Sequence, residues 1–386
     1  MTERLGIYVS VPFCRAKCSF CNFASGVGGP AEIEAYVGRL CEEIASVGDT
    51  AAGLEATLPR RVDTVYFGGG TPSLLAPEQL RRIFTALRGE FLIDADAEIT
   101  IEAAPGQIAD DLLEAALHLG VNRVSLGVQS FVDCESTAVG RSHTEAECVA
   151  EMRRLRSAGV PETGADLIAG LPYQTLQSWE YSLRTAVRLA EEGSLTHLSV
   201  YMFEVDENSR LGREVLGGGA RMHAPRLPAE DESAAMYEQA CALLEDAGFA
   251  QYEISNFAWQ GKEHESRHNR KYWERAPYTG FGLDAHSMLA CARGGVRFAN
   301  ADALEAYAKQ PREVTRVSAA EAREEEMFLG LRLREGVPVQ LLRGTDFEGL
   351  VEGGLMTIDD GRARLTVRGR MVSNEVFGRL LEQVPI

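Results

Sequence analysis

Three cysteines stand within eight residues near the start of the chain: Cys14, Cys18 and Cys21, spaced C-x3-C-x2-C. Thiolates on one short loop hold an iron–sulfur cluster. Three thiolates on a [4Fe-4S] cluster leave one iron open to a small chelating ligand. S-adenosylmethionine (SAM) carries an amino and a carboxylate group that suit that corner. One electron from the cluster can then cleave a C–S bond and release a 5′-deoxyadenosyl radical. A structural zinc ion would want a fourth ligand, and the next histidine, His118, is far along the chain. The aromatic Phe20 just before the third cysteine strengthens the cluster reading. The other five cysteines (Cys41, Cys134, Cys148, Cys241, Cys291) are scattered, as buried thiols in a reducing cytoplasm would be, not as a disulfide framework.

Such a loop needs a scaffold. Short apolar runs at 6–11, 64–67, 98–102, 123–129, 164–169 and 197–202 alternate with amphipathic stretches at 31–46, 77–88, 109–117, 144–158 and 176–190. Strand–helix alternation at this spacing predicts right-handed βαβ crossovers and a parallel sheet. The expected fold class is α/β, a partial parallel (β/α)6 barrel. Beyond it we expect a Gly-rich stretch (217–220), a helix (228–247), a strand (251–257) and a loop rich in His, aromatics and Gly (264–287). The tail, from 314 on, reads as a charged helix (319–332) and a hairpin around LMTIDDGRARLT, a small C-terminal helix-plus-hairpin domain. The expected units are 1–215 for the barrel core, 216–310 for its extension and 311–386 for the tail.

Barrel sites form where strands end, and the polar signals fall there. Cys14 follows the first strand, and Gly68-Gly69-Gly70-Thr71-Pro72 the second. Glu102 ends the third and Gln129 the fourth, while Asp166 lies in the fifth and Tyr201 near the end of the sixth. The glycine run is a tight turn or a close backbone approach to a ligand; its spacing is not that of a dinucleotide fold. Glu102 is a solvated strand end or an acceptor for a ribose or an amine. Gln129 and Asp166 are polar groups in apolar strands and require partners. Arg141 serves a surface salt bridge or a carboxylate.

The net charge of −18 argues against tight binding to nucleic acid or anionic lipid. No run approaches the length of a transmembrane segment, and the start, MTERLGIYVSVPFC, does not read as a signal peptide. A cytoplasmic protein is expected.

The stretches YVSVPFCRAKCSFCNF, VYFGGGTPSLL, ITIEAAPG, RVSLGVQSF, ADLIAGLP, YEISNFA and HNRKYW resemble the radical SAM family that contains oxygen-independent coproporphyrinogen III oxidase and a branch of heme chaperones. The resemblance spans about residues 8–290, and the tail looks like that family's C-terminal domain. It implies that Cys14, Cys18 and Cys21 ligate the cluster and that Tyr8, Phe20, Gly69, Gly70, Thr71 and Glu102 surround SAM. Gln129, Arg141 and Asp166 match positions that hold a second SAM in the oxidase. The oxidase has a fourth cysteine where this chain has Phe23, and an N-terminal extension that is missing here. The stretch His268-Asn269-Arg270-Lys271-Tyr272-Trp273 resembles the heme-binding signature of the chaperone branch. By resemblance this is a heme chaperone with heme, heme-accepting proteins and a low-potential electron donor as partners; the alternative is the decarboxylating oxidase, and a radical SAM enzyme on an unrelated substrate is a third reading. Ser266 stands where many relatives have Cys, and Asn22 where Asp is common.

Imidazole is a common axial ligand of heme iron, and aromatics can cover a porphyrin face; His268 with Tyr272 and Trp273 supplies both. Read without the resemblance, His268 is a loop histidine bonded to backbone, with Trp273 in a core. A helical segment would put His264 and His268 on one face as a metal pair. His286 is structural or lines the SAM pocket.

Overall fold

In a computed structural model, residues 3–292, 294–307 and 309–381 are described. Six parallel strands alternate with helices: β1 (Leu5–Val11), α1 (Pro30–Ala45), β2 (Arg61–Gly69), α2 (Pro77–Glu90), β3 (Leu92–Ala103), α3 (Asp110–Leu119), β4 (Arg123–Gln129), α4 (Glu145–Ser157), β5 (Glu162–Ala169), α5 (Leu176–Glu191) and β6 (His197–Met202). They pair in that order, each parallel to the next. The expected strands and helices are all present, with ends moved by a few residues.

The local signals are ordinary ones. Pro30 and Pro77 each open a helix at its first turn, where no N–H is needed. Thr144 and Glu147 form a reciprocal capping box at the start of α4. Gly120 ends α3 with φ 96°, a left-handed conformation that glycine adopts without strain.

Strand periodicity divides the barrel into two faces. Leu5, Ile7, Val9 and Val11 of β1 point outward and are buried under the helices, as are Val65 and Phe67 of β2 and Val124, Leu126 and Val128 of β4. From α1 and α2, Leu40, Ile44, Leu80 and Phe84 meet them. Each such side chain contributes about 1.5–3 kcal/mol on burial. The alternate residues face the lumen, and the register sets their heights: Tyr8 pairs with Tyr66, Tyr66 with Thr100, Thr100 with Arg123, Gly127 with Asp166 and Asp166 with Ser199.

Two expectations are corrected. Residues 251–257 are not one strand: Phe249–Gln251 and Asn256–Trp259 form an antiparallel pair, separated by a turn in which Glu253 Oε1 accepts from the Ser255 N–H at 2.9 Å. Residues 264–287 are not simply loop. They contain the helix Arg267–Trp273 and the strand Tyr278–Phe281, which pairs parallel with β1 as a seventh parallel strand. Strands His286–Cys291, Gly294–Ala299 and Glu313–Val317 extend the sheet antiparallel from there.

In the tail, the helix Ala319–Arg332 packs on a three-stranded sheet around a second hydrophobic cluster that includes Met327, Leu331, Met356, Leu365 and Phe377. The hairpin Met356–Asp359/Arg362–Leu365 turns through Asp360 and Gly361, both at positive φ, as a two-residue hairpin loop requires. Residues 382–386 of the expected tail unit lie outside the described residues. No helix among the described residues is long and apolar enough to cross a membrane.

Candidate functional site: a cysteine loop over a polar barrel lumen

The cysteine loop leaves β1 at the barrel's C-terminal mouth. Its base is pinned by Cys14 N–H to Gly26 O at 2.8 Å and Gly26 N–H to Pro12 O at 2.9 Å. Its tip is held from two sides, by Ser19 N–H to Val139 O at 3.1 Å and Leu211 N–H to Ser19 O at 2.8 Å. Asn22 donates to Asp206 at 2.5 Å. All three thiols are free. Burial pushes the Cys18 thiol up, and the Arg141 guanidinium pulls it back down.

Among the described residues no three Cys, His, Asp or Glu side chains converge on a point that would hold a single metal ion. A structural zinc requires that convergence, whereas a four-iron cube takes each thiolate at a separate corner.

The glycine run packs directly on this loop. Gly70 N–H donates to Val11 O at 2.9 Å and Thr71 N–H to Phe13 O at 2.7 Å. A Cβ on Gly70 would meet Phe13 O at 2.7 Å and Val11 O at 2.8 Å. Gly70 is thus required by backbone packing under the cysteines. Gly69, at φ 101°, lines the cavity beside Tyr8. Thr71 is buried. Phe20 packs on Val139, Ile168 and Leu171.

Below the loop the lumen is a cavity of about 230 Å³, bounded by Tyr8, Tyr66, Glu102, Asp166 and Tyr201 above and Arg123, His197 and His268 below. Tyr66 donates to Glu102 Oε1 at 2.7 Å. Burial raises the Glu102 carboxyl to about 7; the Tyr66 hydrogen bond opposes this and Asp166 adds to it. Asp166 is raised as well, chiefly by burial, against a hydrogen bond from Ser125 at 3.4 Å. Gln129 is buried and ends β4 at φ 70°, beside a register shift. The Arg141 guanidinium lies over Gly127, with Nη2 2.8 Å from where a Cβ would sit, and its buried Nε has no partner among the described residues. Gln129, Arg141 and Asp166 are therefore gathered around Gly127. Arg141 makes no surface salt bridge among the described residues.

His268 lies elsewhere. The helix Arg267–Trp273 closes the opposite end of the barrel, where the strands begin. Glu98 accepts from the backbone N–H groups of Arg267 (3.0 Å) and His268 (2.9 Å) and pairs with Arg123 at 3.3 Å. Ser266 caps the helix, accepting from Asn269 N–H at 3.3 Å. His268 is 1% exposed. Its Nδ1 is 2.9 Å from Thr64 Oγ1, its Nε2 2.9 Å from the Tyr272 hydroxyl, and its ring stacks on Tyr66 at 5.2 Å. Burial lowers its pKa to about 3, so the ring is neutral. Trp273 turns away from the lumen, with the Arg332 guanidinium 4.2 Å over its ring. His264 does not join His268: its Nδ1 is 2.9 Å from Glu162. The expected metal pair is not formed.

Sequence reasoning missed Tyr66, Thr100, Arg123, His197 and Ser199 as lumen residues. The available signal was polar residues alternating with Val, Leu and Ile in the strands.

A parallel barrel carrying a three-thiol loop at its C-terminal mouth defines a radical SAM protein. Residues 8–186 match the Radical SAM superfamily and residues 317–372 the HemN C-terminal domain. The heme chaperone HemW of Lactococcus lactis is 33% identical, with 97% of this chain and 96% of that protein covered. HemW of Bacillus subtilis is 32% identical, with 98% and 99% covered. A mouse radical S-adenosyl methionine domain-containing protein 1, mitochondrial, is 30% identical over 99% of this chain and 88% of its own length. The fold is that of Escherichia coli coproporphyrinogen III oxidase (HemN), with a TM-score of 0.80 at 24% identity over 98% of this chain and 90% of that one. The chain belongs to the HemW family of radical SAM proteins, whose superfamily implies a [4Fe-4S] cluster and SAM.

Proposed function

We propose that this protein is a cytoplasmic heme carrier that binds heme and passes it to acceptor proteins, under control of a cluster and SAM. Cys14, Cys18 and Cys21 hold the cluster. Tyr8, Phe20, Gly69, Gly70, Thr71 and Glu102 surround SAM, and Gln129, Arg141 and Asp166 bind beyond it. When bound, the cluster and SAM supply one-electron C–S cleavage chemistry, with the electron coming from a low-potential donor. The chain's own residues shape the lumen, and Glu102 receives the cationic or hydroxyl groups of the ligand.

The observation that carries this reading is Phe23. It stands 62% exposed at the mouth, at the position where the oxidase branch has its fourth cysteine. Without that cysteine the chain lacks the oxidase branch's fourth thiol, and Phe23 lines the lumen in its place. The relatives named heme chaperones over nearly the whole chain add to it. The test is hemin titration of the anaerobically prepared protein, followed by mixing with apomyoglobin. Saturable one-to-one binding and transfer are expected; no saturable Soret change overturns the proposal.

The gathering of Gln129, Arg141 and Asp166 favours a second reading, oxidative decarboxylation of coproporphyrinogen III. Anaerobic assay with reductant and SAM decides it: SAM cleavage without protoporphyrinogen removes it.

A further inference from the structure

We infer that Thr64 positions the ring that takes the heme iron: its hydroxyl accepts from Nδ1 of His268 and leaves Nε2 as the iron-binding nitrogen. This rests on the heme-carrier reading above.

An imidazole ligates iron through one nitrogen and keeps a proton on the other. The partner of the second nitrogen decides which is which. The two nitrogens of His268 face different surroundings. Nδ1 lies 2.9 Å from Thr64 Oγ1. Thr64 is fully buried in β2, and a Cβ on Gly6 of the adjoining β1 would fall 3.1 Å from that oxygen. That side is closed to a metal. Nε2 lies 2.9 Å from the Tyr272 hydroxyl, and both residues line the lumen. Tyr272 also lines a second cavity, of about 260 Å³, so its ring borders open space on two sides and has room to yield. Iron arriving through the lumen therefore meets Nε2, in the place that the Tyr272 hydroxyl holds in the ligand-free protein. A hydroxyl both donates and accepts, and rotates to suit, so Thr64 then takes the Nδ1 proton as acceptor.

The strand register builds this arrangement. Thr64 of β2 pairs with Glu98 of β3. From that one level Glu98 holds the backbone N–H of His268 at 2.9 Å, while Thr64 holds its ring. Two residues along β2, on the same face, Tyr66 stacks on the ring at 5.2 Å. Lys271 Nζ lies 2.7 Å from Asp63 and donates to Arg4 O at 3.0 Å, which ties the helix to the starts of β1 and β2. Main chain, ring plane and one ring edge are thus fixed before any cargo arrives. A partner on the far nitrogen also makes an imidazole more basic as a ligand, worth about 10- to 100-fold in affinity.

The test uses the full chain with its cluster reconstituted, titrated with hemin and followed by the Soret band and by the ferric–ferrous midpoint potential of the heme. Thr64→Val keeps the shape and strand preference of threonine but cannot accept a hydrogen bond. It is expected to weaken hemin binding about tenfold or more and to raise the midpoint, because a less basic imidazole supports ferric iron less. Thr64→Ser is expected to restore both. A merely structural role would move the melting temperature and the iron content and leave the potential of bound heme alone. Unaltered affinity and midpoint in Thr64→Val, or equal losses in Thr64→Ser, overturn the inference and leave the carrier reading intact. Unaltered binding by a folded His268→Ala does the same. Failure of the unaltered protein to bind hemin overturns both. A measurement on the unaltered complex stands independently of the folding of any variant: proton NMR is expected to show a hyperfine-shifted, slowly exchanging imidazole N–H. Its absence puts Nδ1 on the iron or in water and overturns the inference.

Discussion

The hydroxyl of Tyr66 lies 2.7 Å from Oε1 of Glu102 and donates to it. That bond restrains a carboxyl which burial has raised to about 7 in the ligand-free protein. The charged form has the better fit to a cationic ligand, so SAM binding is expected to strengthen as pH rises through about 7. Glu102→Gln flattens the profile. Tyr66→Phe removes the restraint and moves the midpoint upward. SAM affinity measured from pH 6 to 8.5 checks all three.

The same shift has a consequence for stability. A carboxyl whose folded pKa is raised binds more protons in the folded than in the unfolded state between about 4.5 and about 7, so stability falls as pH rises through that window. Discounted for water in the lumen, the loss is about 2 kcal/mol. Glu102→Gln should therefore raise the melting temperature of the ligand-free protein at pH 8 and change it little at pH 5. Equal effects at both values would contradict this.

Gly70 tests the coupling between glycine run and cysteine loop. Three backbone atoms lie within 2.8 Å of where its Cβ would sit, and backbone cannot step aside as a flexible side chain does. Gly70→Ala should cost about 1–3 kcal/mol and displace the loop, so iron and sulfide content falls. Gly26→Ala is the control: nothing lies within 4 Å of its Cβ although it is in the same loop. Iron analysis and absorbance of the two variants give the comparison.

The barrel floor makes a third point. Glu98 and Arg123 are both buried, and Glu98 also holds two N–H groups at the start of the helix Arg267–Trp273. Glu98→Ala strands Arg123, whose other carboxylate, Glu162, is 3.6 Å away. We expect a loss of about 3–5 kcal/mol in chemical denaturation, and recovery of much of it in the double variant Glu98→Leu/Arg123→Met. A double variant as unstable as the single one would contradict this.

These relationships show what was legible in the sequence. Leu5, Ile7, Val9 and Val11 announce β1 because every second residue meets the helical layer, and Cys14 at its end announces the mouth. Glu102, Gln129 and Asp166 stand out because carboxylates and amides are unusual in such strands. Tyr66, Thr100 and Ser199 are common strand residues, and only the register Tyr8–Tyr66–Thr100 puts them on shared levels. The helix Arg267–Trp273 has seven residues and little apolar period; it exists because Ser266 and Glu98, the latter some 170 positions away, satisfy its first N–H groups. Tyr278–Phe281 has four residues, and its strand character comes from pairing with β1. Tertiary partners, not local propensity, decide both.

Phe23 tests whether the cargo is held in the lumen, which it lines. At 62% exposure it contributes little to folding, so Phe23→Ala should leave the melting temperature, iron content and SAM affinity close to their original values. Phe23 lines the lumen together with Tyr8, Tyr66 and His268, so a porphyrin entering there would cover this ring, and burying an aromatic side chain is worth about 1.5–3 kcal/mol. Heme affinity should then fall by about ten- to a hundredfold, and Phe23→Trp should retain it. Unchanged heme affinity in Phe23→Ala would place the cargo outside this lumen. Hemin titrations of the three proteins, run beside SAM titrations on the same preparations, read the difference directly.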